Sequence, residues 1–223
     1  MSITSNVSGD QDESEPVPSD VVTRLYPAAL RTFAERDFHA VGMREVSSAA
    51  GVSTATIYKY FGSKEALLLA VLHHGLDAID ARLRANISHA DTPRDQWRAC
   101  FQTLMEYYDA DPEFAIIYFI TVPSKIWITS GSWASFGSAD FLHALAERHQ
   151  RDGDLDPTLT SSMITSVVFM LATREVQLWF YRERTWRLTD RIDHMIAFFW
   201  NAVSNTVRSK DDSDTPEKLL RQH

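Results

Sequence analysis

The segment 43–67 has the sequence MREVSSAAGVSTATIYKYFGSKEAL, and it carries the signals of short helices separated by tight turns. Gly42, just before it, is suited to the N-cap of a helix over 43–50. Gly51 is suited to end that helix, because glycine adopts the left-handed conformation of a C-terminal cap without a steric penalty. The pattern therefore predicts an eight-residue helix followed by an abrupt turn.

A second helix is predicted to begin immediately after this turn. Ser53 is an N-cap residue for a helix over 54–60, Gly62 ends it, and Ser63 caps the helix that follows. Two short helices joined by a glycine-containing turn predict a helix-turn-helix. In DNA-binding examples of this motif, the second helix enters the major groove.

The outward side of the predicted 54–60 helix has the chemistry of a DNA-contacting surface. Thr54 and Ala55 are small enough to bring the helix close to base edges, where a hydroxyl can hydrogen-bond and methyl groups can contact thymine. The hydroxyls of Thr56 and Tyr58 and the cation of Lys59 suit phosphate oxygens. Arg44, on the preceding helix, can reach a guanine or the DNA backbone. The candidate DNA-binding residues are Arg44, Ser53, Thr54, Ala55, Thr56, Tyr58, Lys59 and Lys64.

Lys64 is unusual on local grounds. A cation in the first turn of a helix opposes the helix dipole by about 0.3 to 1 kcal/mol. A DNA phosphate beside it would resolve that conflict, and we expect such a contact. The alternative is that Lys59 and Lys64 are simply solvated, and that Tyr58 and Tyr60 are aromatic core residues; for Tyr60 we favour the core.

The quoted segment resembles the DNA-binding signature of the tetracycline-repressor (TetR) family, and the similarity extends without gaps over 24–72. The resemblance implies an N-terminal helix-turn-helix domain, a variable helical body that binds a ligand, and dimers that bind palindromic operators. Some residues depart from the family pattern. Pro27 should kink the first helix or restrict it to its C-terminal side. Gly42, Asp37 and Ser47 replace a hydroxyl cap, a glycine and an alanine, and Asp37 can end the first helix in a left-handed conformation.

Composition fits this interpretation once the charge is divided along the chain. The 223 residues carry a net charge of −8, which argues against DNA binding only if it is evenly spread. Residues 1–20 contain five acids and no Lys or Arg, whereas 21–65 contain six basic residues and four acids. The helix-turn-helix region is therefore locally basic. With a single cysteine and no signal-peptide pattern, we expect a cytoplasmic protein without disulfides.

The remaining sequence predicts an all-α fold of about nine helices, in which helix 4 joins the helix-turn-helix to a larger helical domain. Helix 4 carries one apolar stripe, and Pro93 and Pro112 mark the first turns of helices 5 and 6. The stripe consists of Leu68, Leu72, Leu76, Ile79, Leu83 and Ile87. The predicted domains are a disordered arm over 1–18, a DNA-binding domain over 19–66, a ligand-binding and dimerisation domain over 67–209, and a polar tail over 210–223.

Later in the chain, Ser124–Ser138 is predicted to be a loop, followed by a helix over Ala139–Arg151. Asp156-Pro157 is predicted to open a long helix that reaches Arg182. Thr189 is predicted to cap a last helix that fades near Ser209.

Aromatic residues are abundant in the predicted body. Most must be core, but apolar cavities between helices also form ligand pockets, and we expect a lipophilic or aromatic effector. The candidate pocket residues are Trp97, Phe101, Phe114, Tyr118, Trp127, Phe141, Phe169 and Arg174. Arg174 and Glu175 could anchor the ligand or form an ion pair at a dimer interface, and we favour the interface.

Helices 8 and 9 carry apolar stripes that could pair with a second copy in a four-helix bundle. The candidate interface residues are Phe169, Thr173, Val176, Phe180, Ile192, Ile196, Phe199 and Val203. The alternative is that both stripes face the protomer's own core.

Other function classes find little support. The histidines lack metal-ligand spacing, and we identify no catalytic motif, so we expect no metal, no cofactor and no enzymatic activity. The expected function is a DNA-binding repressor, with operator DNA, a small-molecule effector and a second copy as partners and no membrane association. Two alternatives remain: a helix-turn-helix interaction module that has lost DNA binding, or, with less support, an α-helical enzyme.

Overall fold

A computed structural model describes residues 16–122 and 137–205, and over these ranges the chain folds into nine α-helices. The predicted all-α fold is therefore confirmed. The helices are α1 Ser19–Glu35, α2 Met43–Ala50, α3 Thr54–Phe61, α4 Lys64–Ser88, α5 Pro93–Ala110, α6 Pro112–Ile116, α7 Gly137–Arg151, α8 Ser161–Tyr181 and α9 Ile192–Val203. No helix in the described ranges is both long and apolar enough to span a bilayer.

The first three helices form the N-terminal head, and α2 has the bounds that its glycines predict. Gly42 occupies the N-cap position and Gly51 the C-cap. The head packs around a small apolar core, in which Leu25, Val46 and Ile57 are fully buried. Burial of these three side chains joins α1, α2 and α3 into one unit.

One of the two alternatives for Pro27 and the expected conformation of Asp37 are wrong. The helix is not restricted to the C-terminal side of Pro27, because it begins at Ser19 and continues through the proline to Glu35. Asp37 does not adopt a left-handed conformation, since its φ is −53° and its ψ 135°. Its carboxylate instead accepts a hydrogen bond from the amide of His39 at 2.8 Å, and so caps a single 3-10 turn.

Helix α4 connects the head to the body. Five of its six predicted stripe residues are buried, and Leu76 is half-buried. The stripe extends across both parts of the molecule, because α4 contacts α1 and α3 near its beginning and α5 and α7 further along. A displacement of α4 would therefore move the head relative to the body.

Helices α5 and α6 begin at the predicted prolines. The side chains of Thr92 and Asp111 accept hydrogen bonds from the third residue after each of them, which caps both helices. Helix α6 runs directly into a π-helical segment, Ile117–Thr121. The predicted loop over 124–138 lies largely outside the described residues, although Gly137 and Ser138 already belong to α7.

The predicted ends of the last two helices need correction. Pro157 lies in a turn, and α8 begins at Ser161, where Thr160 provides the cap. Thr189 lies within a 3-10 turn, Leu188–Arg191, and α9 ends at Val203 rather than near residue 209.

The apolar stripes of α8 and α9 face the protomer's own core, which is the alternative stated above. Phe199 is fully buried, with its ring centroid 4.9 Å from that of Trp97 and 5.5 Å from that of Phe101. The predicted interface residues that are buried in this way are Val176, Ile192, Ile196, Phe199 and Val203. They cannot contact a second copy without unfolding the protomer, so their assignment to a dimer interface is wrong. Phe169 and Thr173 are half-buried, whereas Phe180 is exposed.

Candidate nucleic-acid interface

The turn between α2 and α3 is fixed by backbone geometry. Gly51 has a φ of 61°, a left-handed conformation in which a side chain would be strained. The amide of Val52 donates to the carbonyl of Ser47 at 3.2 Å, and the Ser47 hydroxyl donates to the Val52 carbonyl at 2.7 Å. Ser47, which departs from the family pattern, thus adds a hydrogen bond across the turn.

Arg24 links α1 to this turn. Its Nη1 donates to the carbonyl of Gly51 at 3.1 Å, and its Nη2 forms an ion pair with Asp20 at 3.0 Å. Sequence reasoning missed this support. The spacing of Asp20 and Arg24 by four residues indicates their pairing on one helix face, but no local pattern indicates the contact with Gly51.

The beginning of α3 is capped as predicted. The amide of Thr56 donates to the Ser53 hydroxyl oxygen at 3.0 Å, and the two hydroxyl oxygens lie 2.7 Å apart. These two candidate residues therefore hydrogen-bond each other. Their first effect is to orient the N-terminus of α3, whose free amides carry a partial positive charge.

The outward face of α3 carries Ala55, Tyr58 and Lys59, all exposed, whereas Thr54 is half-buried. The spacing of three and four residues places these exposed side chains on one helix face. Tyr58 is 49% exposed, unusual for a large aromatic ring. The Lys59 ammonium lies 4.9 Å from the ring centroid of Tyr60, which is half-buried. The face thus presents a methyl group, a phenol and a cation.

Helix α2 contributes Arg44, which is exposed. Its neighbour Glu45 forms an ion pair with Arg36, whose Nη1 lies 2.9 and 3.0 Å from the two carboxylate oxygens. This pair holds the start of α2 against the segment that follows α1. It also neutralises Glu45, an acid that would otherwise lower the positive potential around Arg44.

Lys64 has a different environment from the one predicted. Its ammonium donates to the carbonyl oxygens of Phe38 at 2.7 Å and Val41 at 2.9 Å. It also lies 4.4 Å from the centroid of the Phe38 ring. Carbonyl oxygens and an aromatic face therefore resolve the conflict with the helix dipole, without any phosphate. We assign Lys64 to the support of the segment between α1 and α2.

The candidate pocket residues do not form one site. Trp97 and Phe101 are fully buried core residues, and the Trp97 indole donates to Nδ1 of His149 at 3.1 Å. Phe114 is also fully buried, yet it borders an open cleft between head and body. The other candidates are scattered: Tyr118, Phe141 and Phe169 are half-buried, Arg174 is exposed, and Trp127 lies outside the described residues.

Other chemistry in the described ranges is limited. No group of three or more His, Cys, Asp or Glu side chains in these ranges is arranged to hold a metal ion. Burial raises the pKa of the Cys100 thiol to about 12, so its reactive thiolate form is scarce at neutral pH.

The head of the molecule matches a known protein family. Residues 25–71 match the model of the family described as "Bacterial regulatory proteins, tetR family". An HTH-type transcriptional regulator of Mycobacterium tuberculosis is 30% identical over 151 residues, which cover 67% of this chain and 72% of that protein. The HTH-type transcriptional activator FasR of Mycolicibacterium smegmatis is 23% identical over 186 residues, which cover 82% of each chain.

Solved structures share most of the fold. The transcriptional regulator FadR of Bacillus subtilis, in complex with stearoyl-CoA, superposes with a TM-score of 0.73. The match covers 79% of this chain and 96% of that protein, at 17% sequence identity. An identity this low shows a common fold and no more.

Proposed function

Because the chain belongs to the tetR family of bacterial regulatory proteins, with a DNA-binding helix-turn-helix domain, we propose that it contacts DNA through the exposed face of α3. The observation that carries this proposal is the exposure of Ala55, Tyr58 and Lys59 on α3. Three interactions hold the start of this helix in place: the Ser53 cap, the hydrogen bonds between Ser47 and Val52, and the contact of Arg24 with Gly51. Ala55 and Thr54 face the bases, whereas Tyr58 and Lys59 bind phosphate oxygens.

The supporting residues have distinct roles in this proposal. Ser53 and Thr56 orient the N-terminus of α3, whose amides attract phosphate. Arg44 projects from α2 and binds a guanine or the backbone. Lys64 stays outside the contact set, because its ammonium already serves two carbonyl oxygens.

Phosphate contacts can be tested without knowing the operator, because they do not depend on sequence. We would measure the affinity for a 30-base-pair duplex of arbitrary sequence by fluorescence anisotropy, over a range of salt concentrations. Lys59→Ala should flatten the slope of log affinity against log salt by about 0.9. Arg94→Gln, an exposed change at the start of α5, serves as the matched control. Equal slopes for both variants and the wild type would contradict the proposed face.

We further propose that the protein is a homodimer, formed through the exposed side of α8 and α9, which keeps Phe180 of the predicted set but not its buried residues. Large apolar side chains on these helices remain exposed in the protomer. They are Met163, Met170, Phe180, Tyr181 and Phe198. Phe198 is 58% exposed although its neighbour Phe199 is fully buried. A second copy that covers this face would also supply the second head that a palindromic operator requires.

We also propose that a small lipophilic molecule regulates DNA binding, and that the protein is a repressor which the ligand releases. The FadR structure noted above contains stearoyl-CoA, which supports a ligand with a large apolar part. Activation is the second candidate, because the relative FasR is named an activator. Transcription from a reporter that carries the protein's own operator, with and without the regulator, distinguishes the two: a repressor lowers it and an activator raises it.

A further inference from the structure

A cleft with a volume of about 1010 Å³ lies where the head meets the body. One wall is α1, another is α4, and the third is the junction of α5 with α6. The cleft thus separates a helix of the DNA-binding head from helices of the body. Its volume reaches the upper end of the range typical of small-molecule sites, about 300 to 1,000 Å³.

The floor of the cleft is aromatic and tightly packed. The ring of Phe114 lies directly on the backbone of Gly75, so that a Cβ atom at Gly75 would overlap Cε2 of the ring. The same ring stacks on Tyr118 at 5.7 Å and meets Tyr107 edge-on at 5.3 Å. Phe114 and Tyr107 are themselves buried, and the apolar side chains of the cleft that a ligand can reach include Tyr26, Pro27 and Leu30 of α1.

Two arginines line the cleft, Arg31 on α1 and Arg82 on α4. Both are exposed, and neither forms an ion pair with a carboxylate of the described residues. The Arg82 guanidinium lies 5.3 Å from the ring centroid of Tyr107, which orients it along the floor. Two cations without acidic partners beside an apolar floor complement a ligand that has an apolar body and an anionic group.

Two acids, Asp111 and Glu113, also line the cleft. Asp111 accepts a hydrogen bond from the amide of Phe114 at 3.0 Å, and so caps α6. This carboxylate is thus engaged in capping α6, and burial raises its pKa.

We propose that this cleft binds a hydrophobic organic anion, and that this ligand is the effector. The inference rests on the proposed function, since it assigns a site and a chemical class to the regulatory ligand. A ligand that binds both Arg31 and Arg82 connects α1 to α4, and its apolar body rests on Tyr26 and Leu30 of α1. Such a ligand favours one separation of head and body. By linkage, the ligand changes the protein's affinity for DNA by the same factor by which DNA changes the protein's affinity for the ligand.

The test uses 8-anilinonaphthalene-1-sulfonate as the probe, because this aromatic sulfonate fluoresces when it binds an apolar site. The wild type, the double variant Arg31→Gln/Arg82→Gln and the control Arg94→Gln are titrated with the probe as full-length proteins. We expect the double variant to bind at least about tenfold more weakly, since it loses two charged hydrogen bonds. The control should stay within about twofold of the wild type, as expected for an exposed residue away from the cleft. Equal affinity in the double variant, or no binding to the wild type, would overturn the proposal.

A second variant fills the cleft and keeps its charges. Ala78→Phe places a ring at a half-buried position of the α4 wall. It should abolish probe binding and leave the melting temperature within about 2 °C of the wild type. Retained probe binding by Ala78→Phe would also overturn the site.

Binding to the arbitrary duplex separates this proposal from the proposed function. Without the probe, the wild type and all cleft variants should bind the duplex equally well. If the wild type does not bind DNA, the proposed function fails, whatever the probe does. If the probe releases DNA equally from the wild type and from the double variant, the effector response stands and the cleft is not its site.

Discussion

Replacing Lys64 by alanine removes a cation that serves two backbone carbonyls at once. The ammonium lies 2.7 Å from the carbonyl oxygen of Phe38 and 2.9 Å from that of Val41, and it is half-buried. Both acceptors belong to the segment that joins α1 to α2. The change should therefore loosen the connection between the first two helices of the head.

The size of the effect follows from these two bonds. A hydrogen bond to a charged group contributes about 1.5 to 3 kcal/mol, and partial hydration of this ammonium favours the lower end. We expect the Lys64→Ala variant to lose about 2 to 3 kcal/mol of the free energy of unfolding. For a chain of this length, that loss lowers the melting temperature by about 4 to 12 °C. Thermal unfolding followed by circular dichroism measures it.

Lys59→Ala is the matched control, because Lys59 is exposed on the neighbouring helix. This variant should change the free energy of unfolding by less than about 0.5 kcal/mol and reduce the salt dependence of DNA binding. Lys64→Ala should instead lower the free energy of unfolding. Below its melting temperature, this variant should bind DNA with the salt slope of the wild type. An unchanged melting temperature together with a salt slope flatter by about one unit would refute the structural role.

Three further predictions test the packing. Phe199→Glu should unfold the chain, because it buries a carboxylate, whereas Phe198→Glu should give a folded monomer. Circular dichroism measures the folding of each variant and sedimentation its oligomeric state. A dimeric Phe198→Glu variant would contradict the interface. Burial, and then the neighbouring arginine, lower the pKa of His149, so stability should fall as the pH drops below about 6.5, by at most about 1.4 kcal/mol per pH unit. Urea unfolding should show a weaker fall for His149→Gln, and an identical fall would contradict this. Gly75→Ala should lower the free energy of unfolding by about 1 to 3 kcal/mol despite the better helix propensity of alanine, because its Cβ meets Phe114. Adding Phe114→Leu to this variant should restore part of the loss, as measured by thermal unfolding. No restoration would count against the contact.

The head could be predicted closely because its signals are local. Gly42, Gly51 and Ser53 act on backbone groups within a few residues, so their positions determine where α2 ends and α3 begins. Lys64 shows the limit of this approach. Its acceptors lie 23 and 26 residues earlier in the chain, and no local pattern indicates them.

The body was harder to predict, because a helical period shows that an apolar face exists but not what covers it. The stripes that contain Val176 on α8 and Phe199 on α9 are regular, yet both face the protomer's own core. The exposed face is marked only by single residues such as Phe198 and Met170. A proline also misled the prediction of α8, because Pro157 occupies a turn before the helix as readily as a first helical position.

Hydroxyl-radical footprinting on the DNA that flanks the protein's own gene tests the central claim most directly. A dimer that contacts DNA through α3 should protect two symmetry-related sites, one or more helical turns apart. The variant Tyr58→Phe/Lys59→Ala should weaken both footprints equally, and Phe198→Glu should lose them together. Two symmetrical footprints with this behaviour are the predicted result. A single unsymmetrical footprint, or two footprints that the α3 variant leaves unchanged, would contradict the account.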